Sequence, residues 1–228
     1  MHEWRWFRRK PPRKRRSAQL SRRDQHSPLA LCPGPKLVCC LWWSASFRDE
    51  FPEIDIRLSS DYSPVLAKTL MRRKLDAAFI RSEQHMEDLI YGRVRTDPLV
   101  FVFSSDHCLA SYAAVAPQEI AKEAFLLPSK AAPAVRRVVL EYFDRAGIDL
   151  KPEHEVHNVV HAISMITSTR AVMLLPAYTK GYLPESITTR PVQGEVPTVD
   201  LVLAYHKANK SPILKVLLSR VGKLAGAS

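Results

Sequence analysis

The sequence predicts an α/β fold whose sheets are mainly parallel. Segments with a strand pattern alternate along the chain with segments whose apolar residues recur at helical spacing. One apolar segment, LDAAFIR at 75–81, has four apolar residues between an aspartate and an arginine. Strands this apolar are usually covered on both faces, as in a parallel sheet. Alternating strands and helices of this length are typical of α/β proteins.

Local patterns place each element in order. SPVLAKTLMRRK (63–74) predicts a helix because a serine N-cap and a first-turn proline precede apolar residues at helical spacing. The clearest helix covers 135–146, with apolar residues at i, i+3, i+4, i+7, i+8 and i+11 and with Gly147 as its C′ residue. Further helices are predicted at 117–123, 159–169 and from Ser211-Pro212 onward. Strands are predicted at 54–60, 75–81, 99–105, 124–129, 154–158, 172–177 and 199–205.

Most of the positive charge lies near the start of the chain. The formal net charge is +11, and residues 1–48 hold 12 Lys/Arg against Glu3 and Asp24. Residues 49–228 are nearly neutral, so a basic DNA-reading surface is not predicted there. Residues 1–35 show no helical or strand period and predict disorder, because like charges repel and little apolar surface can be buried. The alternative for this basic arm is nuclear localisation or nucleic-acid binding.

The cysteines and the hydropathy favour a cytoplasmic protein. Cys32, Cys39, Cys40 and Cys108 form no CxxC pair, so neither a disulfide framework nor a zinc site is indicated. No apolar run approaches the roughly 20 residues that a membrane span needs. LVCCLWW (37–43) resembles the apolar core of a signal peptide, but it is short and ends in two tryptophans. Neither export nor membrane association is predicted.

The sequence offers no catalytic or cofactor motif. Both G-x-G-x-x-G and G-x-x-x-x-G-K are absent, which removes the usual signature of nucleotide chemistry. His154, His157 and His161 would share a face of one helix, but HEVHN predicts a strand, in which the first two point to opposite faces. SSDHCL (104–109) contains Ser, Asp and His, but catalytic triads are seldom contiguous and no G-x-S-x-G elbow is present. We therefore expect no catalytic residue, no bound metal and no cofactor.

Helix N-termini are the remaining candidate site. Ser63, Ser129-Lys130 and Asn158 each precede a helix that follows a strand, and such N-termini accept anions. In open α/β sheets they face the crevice beyond the carboxyl ends of the strands, where Arg81 also lies. Singly, each serine or asparagine is a plain cap; together with Arg81 they favour a small carboxylate ligand. The alternative for Arg81 is that it pairs with a nearby acid such as Glu83 and merely ends its strand.

Five segments follow one another in a characteristic order: FRDEFPEIDIRLSS, RRKLDAAFIR, DPLVFVFSSDHCLA, EVHNVVHAISMITSTRAVMLLPA and SPILKVLL. Together they resemble the effector-binding domain of LysR-type transcriptional regulators, above all regulators of aromatic-compound degradation. They span about Phe47 to Val221 at the spacing of the family.

The resemblance implies a fold, a ligand and partners. The fold is two-lobed and of the periplasmic-binding-protein type (type 2), with crossovers near Asp97 and Thr198. The first lobe is expected at about 49–96 plus 199–228, and the second at about 97–198. The implied effector is a small organic acid that binds between the lobes and is expected to be aromatic or dicarboxylic. Its implied contacts are Ser63, Arg81, Ser129, Val135, Asn158, Val159, His161 and Pro176. Self-association into a dimer or tetramer, or association with full-length family members, is also implied.

Three departures from the family pattern affect the expected domain organisation. Nothing resembles the helix-turn-helix or its linker helix, so only non-specific DNA contact through the basic arm is expected. The first strand of the domain is replaced by CPGPKLVCCLWWSAS, in which LVCCLWW is expected to fill part of its place or to extend the first helix. The glycine-containing turn before VMLLP is replaced by STRA. Residues 1–46 are therefore interpreted as a disordered or non-native segment of a truncated regulator, and 47–228 as the effector-binding domain.

Two other functions are compatible with the same scaffold. A solute-binding protein of a transport system shares the two lobes but requires export, and cell fractionation would separate it from a cytoplasmic regulator. An enzyme on the same scaffold would need a general base or cofactor motif that the sequence does not show. The prediction is therefore a non-enzymatic, cytoplasmic effector-binding domain that takes part in regulating transcription.

Overall fold

The computed structural model describes residues 26–31, 55–81 and 85–225. The strands are β1 (His26–Leu31), β2 (Asp55–Ser60), β3 (Ala77–Ile80), β4 (Leu89–Ser104), β5 (Leu126–Pro128), β6 (His154–Val156), β7 (Met173–Pro176), β8 (Ile187–Pro191) and β9 (Thr198–His206). The α-helices are α1 (Ser63–Met71), α2 (Pro117–Ile120), α3 (Pro133–Arg145), α4 (Val159–Thr169) and α5 (Pro212–Ala225). Within the described residues, two 3₁₀ helices cover Cys108–Ser111 and Ala177–Tyr182.

A short strand of the basic segment lies inside the main sheet. β1 pairs in parallel with β2 over all six residues and with β3 from Leu29 to Leu31. The expectation that residues 1–46 are disordered is therefore wrong for His26–Leu31; the remainder of 1–46 lies outside the described residues. The sequence pattern did not predict this strand, because Pro28 is unusual in a central strand and six residues are too few to establish a period. Pairing with β3 begins only after this proline.

The segment LVCCLWW, expected near the place of a first strand, lies outside the described residues. The position between β2 and β3 is held by His26–Leu31. Removal of residues 1–46 would consequently remove a paired strand of the main sheet together with the basic residues.

Two strands connect the lobes. The main sheet has the order β2-β1-β3-β9-β4-β7, with β8 also paired to β4. β4 pairs antiparallel with β9 as far as Pro98↔Thr198, and with β7 and β8 from Leu99 and Val100 onward. One continuous strand therefore belongs to the sheets of both lobes, and the molecule is two-lobed.

The expectation of mainly parallel sheets is wrong. Among the described strands, β1·β2, β1·β3 and β5·β6 are parallel, whereas β3·β9, β4·β7, β4·β8 and β4·β9 are antiparallel. The antiparallel pairs all involve the two strands that pass between the lobes. Neither β8 nor the first half of β4 was predicted, because LIYGRVRTD and ITTRP mix polar and apolar residues without clear alternation.

The C-terminal end of α3 has the glycine that the sequence predicts, whereas the C-terminal end of α4 has an arginine in the same backbone conformation. Gly147 follows the C-cap of α3 with φ +72°, the left-handed conformation that glycine adopts without steric cost. At the end of α4 the same left-handed conformation is adopted by Arg170, with φ 56°, in the turn STRA, which contains no glycine. Its guanidinium lies against the carboxylate of Asp106, which gives this arginine a local partner.

The core of the second lobe packs aromatic side chains between β4, β5 and α3. Phe101, Phe125 and Phe143 are fully buried, and Phe125 meets Phe143 edge to face with ring centroids 5.2 Å apart. Tyr142 is also buried, and its hydroxyl has no hydrogen-bond partner among the described residues. Burial and the nearby carboxylate of Glu195 raise the pKa of Tyr142 to about 12.

Replacing Tyr142 with phenylalanine is expected to raise the free energy of unfolding by about 1 kcal/mol, because it removes a buried hydroxyl that has no hydrogen-bond partner in the described part of the chain. Urea denaturation at pH 7 would measure the change. Because the folded-state pKa lies above the usual value near 10, wild-type stability should fall as the pH rises from about 10 to about 12. The Tyr142→Phe variant should not show the part of this fall in stability that comes from ionisation of Tyr142. A lower stability of the variant at pH 7 would contradict the interpretation.

Candidate functional site

A cavity of about 320 Å³ lies between the two lobes. Tyr62, Ser63 and Arg81 approach it from the first lobe, and residues of α3, β6, α4 and β7 approach it from the second. Its walls are mainly apolar and include Val135, Val156, Val159, Met173, Leu175 and Pro176. The cavity lies beyond the carboxyl ends of β2, β3, β5, β6 and β7, which is the usual place for a ligand in an α/β sheet.

The N-termini of three helices line this cavity. Ser63 begins α1, Ala134 and Val135 lie in the first turn of α3, and Val159 begins α4. The first amides of a helix have no partner within the helix and carry a partial positive charge. None of the three first turns contains an acidic residue. The arrangement therefore offers donors and positive potential to an anion.

The structure brings six of the eight predicted contacts together around the cavity. These are Ser63, Arg81, Val135, Asn158, Val159 and Pro176. Ser129 and His161 do not line it. Ser129 is buried, and its hydroxyl accepts a hydrogen bond from the amide of Ala131 at 3.3 Å. His161 lies within the first turn of α4, where Nδ1 accepts from the amide of His157 at 3.4 Å.

Asn158 has a definite structural role as the N-cap of α4. Its Oδ1 accepts a hydrogen bond from the amide of His161 at 2.8 Å. This cap uses the third amide of the helix and leaves the amides of Val159 and Val160 at the cavity. The two neighbouring imidazoles, of His157 and His161, stack with centroids 5.7 Å apart.

Arg81 is held by several groups at the junction of the lobes. Its Nη2 lies 2.9 Å from Oδ2 of Asp97, and its Nη1 donates to the carbonyl of Val199 at 3.1 Å. Its own amide donates to the hydroxyl of Ser63 at 3.0 Å. The arginine and the aspartate side chains are both more than nine-tenths buried. Glu83 lies outside the described residues, and the acid that Arg81 contacts is Asp97.

A second arginine shares the same carboxylate. Nε of Arg95 lies 2.8 Å from Oδ1 of Asp97, although the N–H is not in line for a hydrogen bond. The ring of Tyr178 faces both guanidinium groups, at 5.7 Å from Arg81 and 5.4 Å from Arg95. Two positive charges therefore surround one negative charge beside the cavity.

A hydrogen bond between two residues that line the cavity joins the lobes. The hydroxyl of Tyr62 donates to the backbone carbonyl of His157 at 2.7 Å. Sequence reasoning did not select Tyr62, His157 or Tyr178. Tyr178 follows β7 closely, so the rule that ligand contacts cluster at the carboxyl ends of strands could have found it. Nothing in the local sequence distinguishes Asp97.

Two carboxylates whose pKa values are lowered, those of Asp88 and Asp106, lie outside the cavity. A hydrogen bond from Lys207 lowers the pKa of Asp88, and a hydrogen bond from Ser104 lowers the pKa of Asp106.

Within the described ranges, no helix combines the length and hydropathy that a bilayer span requires.

Comparison with known proteins gives the family. The LysR substrate binding domain family matches residues 40–225. The Hca operon transcriptional activator HcaR of Escherichia coli K12 is 20% identical over 209 residues, which cover 91% of this chain and 71% of HcaR. The chain spans 71%, 63% and 44% of the length of three curated regulators that it matches.

Solved structures show the same two-lobed fold. The BenM effector-binding domain with its effector benzoate superposes with a TM-score of 0.77 at 18% identity, covering 89% of this chain and 92% of that one. The effector-binding domain of QuiR in complex with shikimate gives 0.74 at 16% identity, covering 88% and 94%. Because the family match extends over most of the sequence, the chain belongs to the LysR substrate-binding domain family of non-enzymatic, two-lobed regulatory domains.

Proposed function

We propose that the chain binds a small carboxylic acid, preferably an aromatic monoacid, in the cavity between the lobes, and that it is the effector-binding part of a cytoplasmic LysR-type transcription regulator. The observation that carries the proposal is the convergence of three helix N-termini on one cavity with apolar walls. Helix N-termini bind anions, and apolar walls suit a hydrocarbon or aromatic body.

The charge balance beside the cavity favours a single carboxylate. Among the described residues, Arg81 and Arg95 both contact Asp97, so these three side chains together carry one net positive charge. The helix N-termini add partial positive charges without any acidic residue in their first turns. A dicarboxylic acid would place its second charge against apolar side chains such as Val156 and Leu175, which would be costly without a partner. We therefore rank aromatic monoacids above diacids.

The solved relatives support this choice of ligand class. BenM is described with benzoate as its effector, and QuiR is in complex with shikimate. Both compounds carry one carboxylate on a six-membered ring. Their ring size also suits a cavity of about 320 Å³.

The proposed role of Arg81 changes with its observed contacts. The sequence predicts Arg81 as one of the contacts of a small carboxylate ligand. In the structure the guanidinium is already bound by Asp97 and by the carbonyl of Val199. Under the proposal Arg81 supplies positive potential and fixes Ser63, while the amides of α3 and α4 donate to the carboxylate.

Regulation of DNA binding would then follow from lobe movement. An anion that bridges α1 of the first lobe and α4 of the second stabilises the arrangement in which both contact it. Family members assembled as dimers or tetramers would transmit this change to DNA, to which this chain itself would bind only non-specifically. Self-association or association with full-length members is part of the proposal.

Matched pairs of acids and amides would test the ligand class. Benzoate, cinnamate, shikimate and muconate, each with its neutral amide, would be screened by thermal denaturation. A ligand at 100 times its Kd adds about 2.7 kcal/mol, which raises Tm by roughly 5–10 °C for a domain of this size. We expect at least one monoacid to raise Tm while its amide does not. Equal shifts by acid and amide, or stabilisation by the diacid alone, would contradict the proposal.

A further inference from the structure

A hydrogen bond joins the N-terminal ends of two helices across the cavity. Tyr62 is the N-cap of α1 in the first lobe, and His157 immediately precedes Asn158, the N-cap of α4 in the second. The hydroxyl of Tyr62 donates to the carbonyl of His157 at 2.7 Å, the usual length of an O–H···O hydrogen bond. Neither residue belongs to β4 or β9. The bond therefore links the lobes independently of the strands that cross between them.

Each partner in this bond is fixed within its own lobe. The carbonyl of Tyr62 accepts the amide of Leu66 at 3.0 Å, at the start of α1. The amide of His157 donates to Nδ1 of His161 at 3.4 Å, and the next residue, Asn158, caps α4. Because both partners are held by local contacts, a separation of the lobes must lengthen the bond between them.

The two lobes have separate hydrophobic cores. Leu66 and Leu70 pack with Ile80 in the first lobe, whereas Phe101 and Phe143 pack together in the second. Rotation of one lobe about the crossover strands β4 and β9 would leave both cores intact, so it costs less than unfolding. Contacts across the cavity then determine how firmly the lobes stay together.

The contacts of Arg81 restrain this rotation less directly. Its guanidinium donates to Asp97 on β4 and to the carbonyl of Val199 on β9. Tyr178, whose hydroxyl lies 3.4 Å from Nη2 of Arg81, follows β7, which itself pairs with β4. Atoms on or beside the crossover strands move little when the lobes rotate about them. The bond from Tyr62 does not involve these strands and responds to the rotation.

We propose that Tyr62 is a positioning residue whose hydroxyl latches the lobes together around the cavity, and that this hydrogen bond breaks whenever the lobes separate. Its role in effector binding rests on the proposed function: the latch holds the N-termini of α1 and α4 on opposite sides of one ligand. Water can replace the phenol at the exposed carbonyl of His157, so the closed form gains the net contribution of one neutral hydrogen bond. Loss of such a bond changes a population roughly 2- to 12-fold.

Labelling of a thiol in the cavity wall would test the latch without any effector. Val156 lines the cavity and is 3% exposed, so a cysteine there reacts with N-ethylmaleimide when the lobes separate or the domain unfolds. In the full-length Val156→Cys chain, mass spectrometry of proteolytic peptides follows the introduced thiol, and exposed Cys108 is the internal reference. When opening and closing are faster than labelling, the labelling rate follows the open population.

We expect Tyr62→Phe to raise the labelling rate of Val156→Cys roughly threefold to tenfold and to leave the rate at Cys108 unchanged. Tyr112→Phe removes the hydroxyl of an exposed tyrosine of the second lobe and is the matched control. It should leave the labelling rate of Val156→Cys unchanged. Equal rates with tyrosine and phenylalanine at position 62 would overturn the proposal.

Urea separates lobe opening from unfolding. Val139 lies in the core of the second lobe and does not line the cavity, so Val139→Cys reports global unfolding. Val156→Cys should label at least roughly 100-fold faster and should depend little on urea below about 1 M, because lobe opening exposes less surface than unfolding does. If both thiols label at the same rate with the same urea dependence, the latch is refuted. Added benzoate tests the proposed function separately, since protection of the thiol requires a bound ligand, whereas the effect of Tyr62→Phe is measured without one.

Discussion

Replacing Asp97 with asparagine is expected to lower the free energy of unfolding by about 3 kcal/mol, because it leaves the buried guanidinium of Arg81 without its counter-charge. Asparagine keeps the size of the side chain, so the loss reports the charge and not a cavity. For a domain of this size the change corresponds to a fall in Tm of roughly 6–12 °C. Urea and thermal denaturation without ligand would measure it.

Replacing Arg81, the other member of this ion pair, should lower the free energy of unfolding by less. Arg81→Met removes one arginine but leaves Asp97 beside Arg95, whose Nε is 2.8 Å away. We expect a loss of about 2 kcal/mol in the free energy of unfolding. The double variant Arg81→Met/Asp97→Leu should recover part of the sum, since neither buried charge is then left alone.

An exposed ion pair provides the control for these variants. Arg137 and Glu141 lie 3.8 Å apart on α3, and both side chains are 55% exposed. Glu141→Gln should change the stability by less than about 1 kcal/mol. If Asp97→Asn lowers the free energy of unfolding no more than Glu141→Gln does, the stability of the junction between the lobes does not depend on the ion pair of Arg81 and Asp97.

How far the sequence predicted the site depends on how local each signal is. Asn158 was found because a cap and the apolar period behind it occupy a few consecutive residues. Ser63 was predicted as a cap in the same way, but the N-cap of α1 is Tyr62, and the hydroxyl of Ser63 accepts a hydrogen bond from the amide of Arg81. The rule for carboxyl ends of strands then placed their helices near one another, and the structure brings both to one cavity. That rule does not resolve side-chain contacts within a turn: the hydroxyl of Ser129, a predicted contact, accepts a hydrogen bond from the amide of Ala131, and Ser129 does not line the cavity.

Features that depend on distant pairing could not be predicted in the same way. The partner of Arg81 is Asp97, on a strand that the sequence pattern indicated only from residue 99 onward. His26–Leu31 forms a strand because β2 and β3 offer it hydrogen-bonding edges, while its own residues have little strand character. Such elements are determined by tertiary context and leave a weak local pattern.

Introducing a carboxylate at Val159 is expected to abolish ligand binding without unfolding the domain. Val159 is half-buried, begins α4 and lines the cavity. A glutamate there would occupy the positive end of the helix, and helix N-terminal acids stabilise proteins by about 0.5 kcal/mol. The same charge would repel the carboxylate of the ligand. At 4 Å and an effective dielectric constant of 20, two like charges repel by about 4 kcal/mol.

A matched set of variants isolates this charge effect. Val159→Gln has nearly the same shape as Val159→Glu but no charge, and Leu140→Glu adds the same charge on an exposed part of α3. With the best monoacid of the panel, calorimetric titration should show at least a roughly 100-fold weaker Kd for Val159→Glu than for Val159→Gln. Leu140→Glu should bind like wild type. If glutamate and glutamine at position 159 bind the acid equally well, the carboxylate does not lie at the N-terminus of α4, and the ligand enters the cavity in another orientation or binds elsewhere.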